Sequence, residues 1–280
     1  MNWIEITAEF PSAPPDWSPV IELFRAAGCP NSMETDVPPA VIGCLADGVG
    51  APSRVTLLAR RLRDAGASHI RTKTIADEDW NHAFREHFKP RRVGKRFVIV
   101  PTWDTDFKPR DGDLVITLDP GQAFGTGDHP TTRMCLELLE KAGVTGKRVA
   151  DVGCGTGILS IGAVRLGAAE VAAVDIDEVS VQVSRENAAL NQVSFEVGLA
   201  DGIASLGEGW DVLVSNIISA TLILLAPDAA RALVTNGKWI ASGIINENWP
   251  DVLAAAEAAG FALDTKLEDP QWVAAMFHRT

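Results

Sequence analysis

Val149-Ala150-Asp151-Val152-Gly153-Cys154-Gly155-Thr156-Gly157-Ile158 is the stretch that decides the fold. An apolar strand runs into three alternating glycines and then into an apolar helix start. Glycine admits positive φ and lets a ligand approach the backbone, and the helix start offers free N–H groups. Such a turn lies at the carboxyl ends of parallel strands, where nucleotides bind. One glycine carries little weight, because strand-to-helix turns often need one for geometry alone. Two further features sharpen the reading. Asp175 ends the next strand about 20 residues on, where an acid binds both ribose hydroxyls. The spacing is Gly-x-Gly-x-Gly, tighter than the dinucleotide fingerprint, and suits a single nucleoside carrying an amino acid rather than a pyrophosphate. Asp177 reads as a helix cap or a surface charge, and Cys154 as a small side chain that fits the turn.

Outward from this turn the pattern is long and regular. Strands are expected at 148–152, 170–175, 194–197, 211–215 and 238–242, with helices at 158–166, 179–190, 220–233 and 250–259. Strict alternation implies an α/β fold with a mostly parallel, Rossmann-like sheet covered on both faces. The closing pieces, 261–267 and 272–279, have no helix between them and are expected as a hairpin at the sheet edge. Two further strands, 96–100 and 114–118, precede the glycine turn, and a helix start is read at Pro130-Thr131-Thr132.

The first 90 residues carry shorter units. Strands are expected at 3–10, 40–46 and 69–75, and helices at 16–27, 52–65 and 77–88. This gives a small α+β, ferredoxin-like domain over 1–90 and a larger domain over 91–280, separated at the Pro-containing basic run 90–94.

Composition excludes several classes. The 280 residues are 46% hydrophobic and 22% charged, with no apolar run approaching a membrane span. The start, MNWIEITAEF, has no basic n-region followed by an apolar stretch. Cys29, Cys44, Cys135 and Cys154 are far apart and form no CxxC pair, which argues against a disulfide framework or a zinc site. A cytoplasmic protein without a metal is the expectation. The net charge of −12 disfavours tight non-specific nucleic-acid binding and suits a basic partner. Residues 54–96 run against that average, with 12 Lys and Arg against 5 Asp and Glu. They read either as a solvated helix and linker or as a patch for an acidic surface.

Before the glycine turn stands Leu118-Asp119-Pro120-Gly121-Gln122-Ala123-Phe124-Gly125-Thr126-Gly127-Asp128-His129-Pro130-Thr131-Thr132, and after it Val214-Ser215-Asn216-Ile217-Ile218 and Ser242-Gly243-Ile244. The glycine turn with Ala173-Val174-Asp175-Ile176-Asp177 resembles the cofactor motif of class I methyltransferases. With the flanking stretches, the chain resembles the ribosomal protein L11 methyltransferase family, whose pattern is Asp-Pro-Gly-x-Ala-Phe-Gly-Thr-Gly-x-His-Pro-Thr-Thr. Glu78-Asp79-Trp80, His87-Phe88-Lys89-Pro90 and the end from Gln271-Trp272 extend the likeness; the first 75 or so residues match loosely. Asp128 replaces a commoner Thr, and Ile218-Ser219 stand where Leu-Ala is common; neither departure implies lost activity.

The resemblance implies S-adenosyl-L-methionine as cofactor. Thr132, Gly153, Asp175 and Asn216 fall where the family contacts it, Gly155 and Gly157 complete the turn, and Phe124 lies over the methyl-donor end. It implies methylation of lysine ε-amines and the N-terminal α-amine of ribosomal protein L11, with the N-terminal domain gripping that substrate and no direct need for nucleic acid or membrane. Chemistry agrees: displacement from a sulfonium demands alignment with an uncharged amine, and a partly desolvated channel lowers a lysine pKa from about 10.4. Proton loss can go to water, so no catalytic base is assigned.

Alternatives remain open at this level. Asn216 is either a turn former or a polar contact at the site, and the absence of the Asn-Pro-Pro-aromatic pattern counts against base methylation. His129 is either a proton acceptor or a structural residue, and Trp272 is read as filling the sheet edge. The rival functions are a lysine methyltransferase of another protein, such as an electron-transfer flavoprotein subunit, a nicotinamide-dependent oxidoreductase, and a non-catalytic binding module.

Overall fold

The computed structural model describes residues 2–14, 17–29, 32–36, 38–76, 89–118, 127 and 129–280. The helix expected at 77–88 and the segment 119–126, which contains Phe124, lie outside the described residues. The chain divides into two compact units, Met1–Phe88 and Lys89–Thr280.

The first unit runs β1 (Asn2–Glu9), α1 (Ser18–Ala26), β2 (Ser32–Asp36), β3 (Pro39–Ala46), α2 (Ala51–Asp64), β4 (His69–Ala76). Its sheet order is β2-β3-β1-β4, with every pairing antiparallel. That is the β-α-β-β-α-β, ferredoxin-like arrangement. Ile6, Ala8, Val41 and Leu45 alternate onto one face and pack against Val20, Phe24, Leu58 and Leu62 of the helices. The expected three strands miss β2, an edge strand of polar composition.

The second unit begins with a small sheet of β5 (Arg91–Val93), β6 (Phe97–Pro101) and β7 (Leu114–Leu118). After α3 (Pro130–Ala142), strands and helices alternate: β8 (Arg148–Val152), α4 (Ile158–Arg165), β9 (Glu170–Asp175), α5 (Glu178–Leu190), β10 (Glu196–Leu199), β11 (Trp210–Asn216), α6 (Ser219–Ala232), β12 (Leu233–Ile245), α7 (Trp249–Ala258), β13 (Phe261–Glu268) and β14 (Trp272–Arg279). The seven-stranded order is β10-β9-β8-β11-β12-β14-β13. Strands β8 to β12 pair in parallel, and β14 is antiparallel to β12 and β13. Both faces are buried. Val149, Val212, Val214 and Ile240 join the core with α3 and α4, while Ala150, Leu213, Trp239 and Ala241 pack under α6 and α7. Such a doubly covered parallel sheet is stable only with helices on each side. The closing strands form the expected hairpin at the sheet edge, with β14 paired to β12 and β13 outermost.

Among the described residues no helix is long and apolar enough to cross a membrane.

Candidate functional site

The strand order reverses between β8 and β11, with β9 and β10 to one side and β12 to the other. Loops leaving the carboxyl ends of β8 and β11 therefore diverge and open a crevice between them. The glycine turn after β8 lines it. Gly153, Gly155 and Gly157 hold φ of 78°, 52° and 77°, a region that side chains resist. Close packing reinforces the choice: a Cβ on Gly153 would lie 2.3 Å from Ile217 Cγ2, and one on Gly157 would lie 2.4 Å from Ser184 Oγ. Gly157 caps α4 with no side-chain hydrogen bond, so a ligand has backbone N–H groups to meet.

Asp175 closes the crevice from β9. Its Oδ2 accepts the Gly155 N–H at 2.8 Å and its Oδ1 accepts the Asp177 N–H at 3.0 Å. An ionised carboxylate has about four acceptor positions, so one remains on each oxygen for a diol. Asp177 caps α5, accepting the Val179 N–H at 3.0 Å. At the end of β11, Asn216 Nδ2 donates to Thr132 Oγ1 at 3.3 Å, joining the first turn of α3 to the crevice. Thus Thr132 and Asn216, 84 positions apart in the chain, meet side by side. Of the expected cofactor residues, Thr132, Gly153, Gly155, Gly157, Asp175 and Asn216 line this one strand edge; Phe124 lies outside the described residues.

Among the described residues three buried side-chain oxygens have no hydrogen-bond partner: Asp151 Oδ1, Ser184 Oγ and Asn216 Oδ1. An orphaned buried oxygen is costly unless a donor reaches it. A ligand with an ammonium group and hydroxyls supplies such donors, so the residues present fit S-adenosylmethionine. Among the described residues no group of three or more His, Cys, Asp or Glu could hold a metal ion.

Burial of Asp151 pushes its carboxyl up to about 7, with the Asp175 charge adding to the rise and the Ser160 hydroxyl, 2.6 Å from Oδ2, opposing it. Because the folded pKa is raised, the favourable neutral state is complete below the unfolded value of 3.8 and is lost as pH climbs through about 7. Asp151→Asn is therefore expected to stabilise the ligand-free protein more at pH 8 than at pH 5, by about 2–3 kcal/mol. Urea denaturation of both proteins at the two pH values checks this, and equal gains would contradict it.

His129 is engaged in structure. It caps α3, its Nδ1 accepting from the Thr131 N–H at 3.4 Å and lying 2.6 Å from Thr131 Oγ1. Its ring meets Trp272 edge-on at 4.8 Å. Trp272 thus packs from β14 against both the start of α3 and the core. Burial also pushes the Cys135 thiol up to about 12 and raises that of Cys154, so neither is a nucleophile.

Sequence reasoning missed three residues. Ile217 is wedged between the glycine turn and β12, its side chain against Gly153 and its backbone against Gly243. Ile176, 72% exposed, follows β9 directly after Asp175, and Leu199, 58% exposed, ends β10 opposite Asp175. Exposed apolar side chains at that edge suit the flat face of an aromatic base. A signal was present, since both stand where a polar turn residue is the norm. An open cleft of about 420 Å³ lies elsewhere, lined by Asn246, Lys266, Glu268, Asp269, Pro270 and Val273, none of them a residue of the crevice.

Comparisons with known proteins point to one family. The family model described as Ribosomal protein L11 methyltransferase (PrmA) matches residues 49–280. A ribosomal protein L11 methyltransferase of Pelotomaculum thermopropionicum is 40% identical over a 302-residue alignment that covers 98% of each chain. One of Heliobacterium modesticaldum is 45% identical over 226 residues, 80% of this chain and 71% of that one. The crystal structure of ribosomal protein L11 methylase from Lactobacillus delbrueckii subsp. bulgaricus superposes with a TM-score of 0.66 at 34% identity, covering 69% of this chain and 100% of that one.

Proposed function

This chain belongs to the ribosomal protein L11 methyltransferase family, and on that premise we propose that it methylates lysine ε-amines and the N-terminal α-amine of ribosomal protein L11. It is an S-adenosylmethionine-dependent protein methyltransferase of the class I fold. The observation that carries the site assignment is the convergence of the glycine turn, Asp175 and the Thr132–Asn216 pair on one strand edge.

When bound, S-adenosylmethionine supplies an electrophilic methyl group on a sulfonium. In this reading Asp175 holds the ribose through its two open acceptor positions, and Ile176 and Leu199 flank the base. Gly153, Gly155 and Gly157 let the amino-acid part lie against the backbone. Asn216 Oδ1 accepts an N–H from either the ligand or the acceptor amine. The acceptor must arrive uncharged, and a water-poor crevice favours that form of lysine. The acidic chain, at −12, steers a basic ribosomal protein toward it.

The first unit supports L11 over another protein as acceptor. The likeness to the Pelotomaculum ribosomal protein L11 methyltransferase runs through it, covering 98% of the chain. We assign it to substrate recognition.

Mass spectrometry of purified L11 incubated with the enzyme and S-adenosylmethionine tests the proposal. Mass gains in steps of one methylene, placed on lysines and the N-terminus by peptide mapping, are expected. No gain on L11 from an enzyme that binds S-adenosylmethionine would move the search to another protein.

A further inference from the structure

Among the described residues Asp151 is the only acid shut off from solvent, with 0% exposure. It stands on β8 two residues before Gly153. Its Oδ2 accepts the Ser160 hydroxyl of α4 at 2.6 Å, and its Oδ1 has no hydrogen-bond partner. An ionised carboxylate offers about four acceptor positions, and buried with so few donors it is costly unless a cation pairs with it.

The groups that face Asp151 from the neighbouring elements supply no such cation. Asp175 comes from β9, Cys154 from the glycine turn and Cys135 from α3, and each is an acid or a neutral thiol. Helix α4 contributes the Ser160 hydroxyl and backbone N–H, and β11 pairs alongside through Val214. The basic side chains of these elements are engaged elsewhere. Arg148, at the far end of β8, pairs with Glu170; Arg133 of α3 pairs with Asp269; Arg165 of α4 donates to Asn191 O. The His129 ring that caps α3 meets Thr131 and Trp272. Burial outweighs the Ser160 donors, and the carboxyl rises to about 7. Asparagine would fill the same space without a charge to bury, so the folding of the free enzyme gives no reason for an acid here.

S-adenosylmethionine brings an ammonium and a sulfonium against a single carboxylate, and so a net positive charge. We propose that Asp151 links cofactor recognition to proton release: it is neutral in the free enzyme, and the positive charge of the cofactor ionises it, so that one proton leaves for each cofactor bound. The carboxyl O–H bond breaks, its electron pair stays on the carboxylate oxygen, and the proton passes to the buffer. This rests on the cofactor reading given above. Because the free-state pKa is raised, the free enzyme holds its proton below about 7, while the liganded enzyme has lost it. Binding therefore releases a proton below that pH, and affinity rises with pH up to about 7 and then levels. 5′-Methylthioadenosine, the nucleoside part without either positive charge, should leave Asp151 protonated.

Calorimetric titration at pH 6 and pH 8, each in two buffers of different ionisation enthalpy, counts the protons. At pH 6 wild type should release about one proton more per S-adenosylmethionine than Asp151→Asn, which keeps the volume and cannot ionise; at pH 8 the two should agree. Comparing the two proteins cancels the titration of the ligand and of the histidines. Between pH 6 and pH 8 the wild-type affinity should gain about tenfold on that of the variant. 5′-Methylthioadenosine should release the same number of protons from both. Infrared difference spectra of wild type alone read the same event if the variant fails to fold. The C=O stretch of a protonated carboxyl, present in the free enzyme at pH 6, should vanish with S-adenosylmethionine and persist with 5′-methylthioadenosine. Equal proton release from the two proteins at pH 6, or a carboxyl band that S-adenosylmethionine leaves unchanged, overturns the proposal while the cofactor reading stands. A wild type that binds no S-adenosylmethionine removes both.

Discussion

Replacing Asp175 by alanine is expected to raise the Kd for S-adenosylmethionine by roughly two to four orders of magnitude. Each Asp175 oxygen already takes one backbone N–H, from Gly155 or Asp177, and keeps one position for a ribose hydroxyl. Hydrogen bonds to a charged group contribute about 1.5–3 kcal/mol each, so losing two corresponds to about 10²–10⁴ in affinity. The mutation also releases the Gly155 N–H that shapes the turn, which adds to the loss. Asp177→Ala is the matched control. It removes a carboxylate two residues away that only caps α5, so it should cost about 1 kcal/mol of stability and little affinity. Calorimetric titration of both variants decides the matter. An affinity loss below tenfold for Asp175→Ala, or equal losses for the two, would remove Asp175 from the ribose site.

The difference between these neighbouring acids was legible in the sequence, because strand periodicity places Asp175 at a carboxyl end and Asp177 at a helix start. The same periodicity exposed the parallel sheet, since β8, β9, β11 and β12 are apolar runs and the helices between them are amphipathic or small-residue rich. What periodicity could not carry is pairing between distant strands. The continuous apolar run Val273–Phe277 is buried throughout, while every residue of Leu263–Glu268 is half-buried or exposed. That contrast marks β14 as interior and β13 as edge, yet a hairpin reading treats the two alike. Strand β2, Ser-Met-Glu-Thr-Asp, escaped for the opposite reason. Among the described residues it pairs with β3 alone, so nothing forces an apolar pattern on it. Strand β5 is three residues long and mostly basic, and two hydrogen bonds from the β5–β6 turn to the Glu140 carboxylate, both at 2.8 Å, hold its turn in place.

The candidate site divides the same way. The three glycines were readable because positive φ leaves a residue-type signature at close spacing. The Thr132–Asn216 bond spans 84 positions and leaves none. Ile217 is the instructive case. As one of two isoleucines after Asn216 it looks like an ordinary apolar turn residue, and only the structure reveals that it fills the gap between two glycines.

That gap makes Gly243→Ala the substitution expected to damage the fold most, by about 3–5 kcal/mol. Gly243 sits at φ +84° where the register of β12 against β14 shifts between Ser242 and Ile244. A Cβ there would stand 2.3 Å from Ile217 O, 2.8 Å from its carbonyl carbon and 3.1 Å from its nitrogen. All three are backbone atoms, so no rotamer change relieves the clash. The Ile217 N–H also donates to Ser242 O at 3.0 Å, which ties the two segments together at the point of contact. Relief requires moving the turn after β11, and that turn carries Asn216. Gly153 poses a milder problem, because its Cβ would meet the Ile217 side chain rather than backbone. Gly66→Ala separates the causes: Gly66 has φ +99° and open space around it, so alanine there pays only the conformational strain of about 1–2 kcal/mol. Urea denaturation of the two variants should show Gly243→Ala as clearly the less stable, with weakened cofactor binding wherever enough folded protein remains. Equal losses would mean that backbone conformation, and not the close approach of Ile217, is what requires glycine at 243.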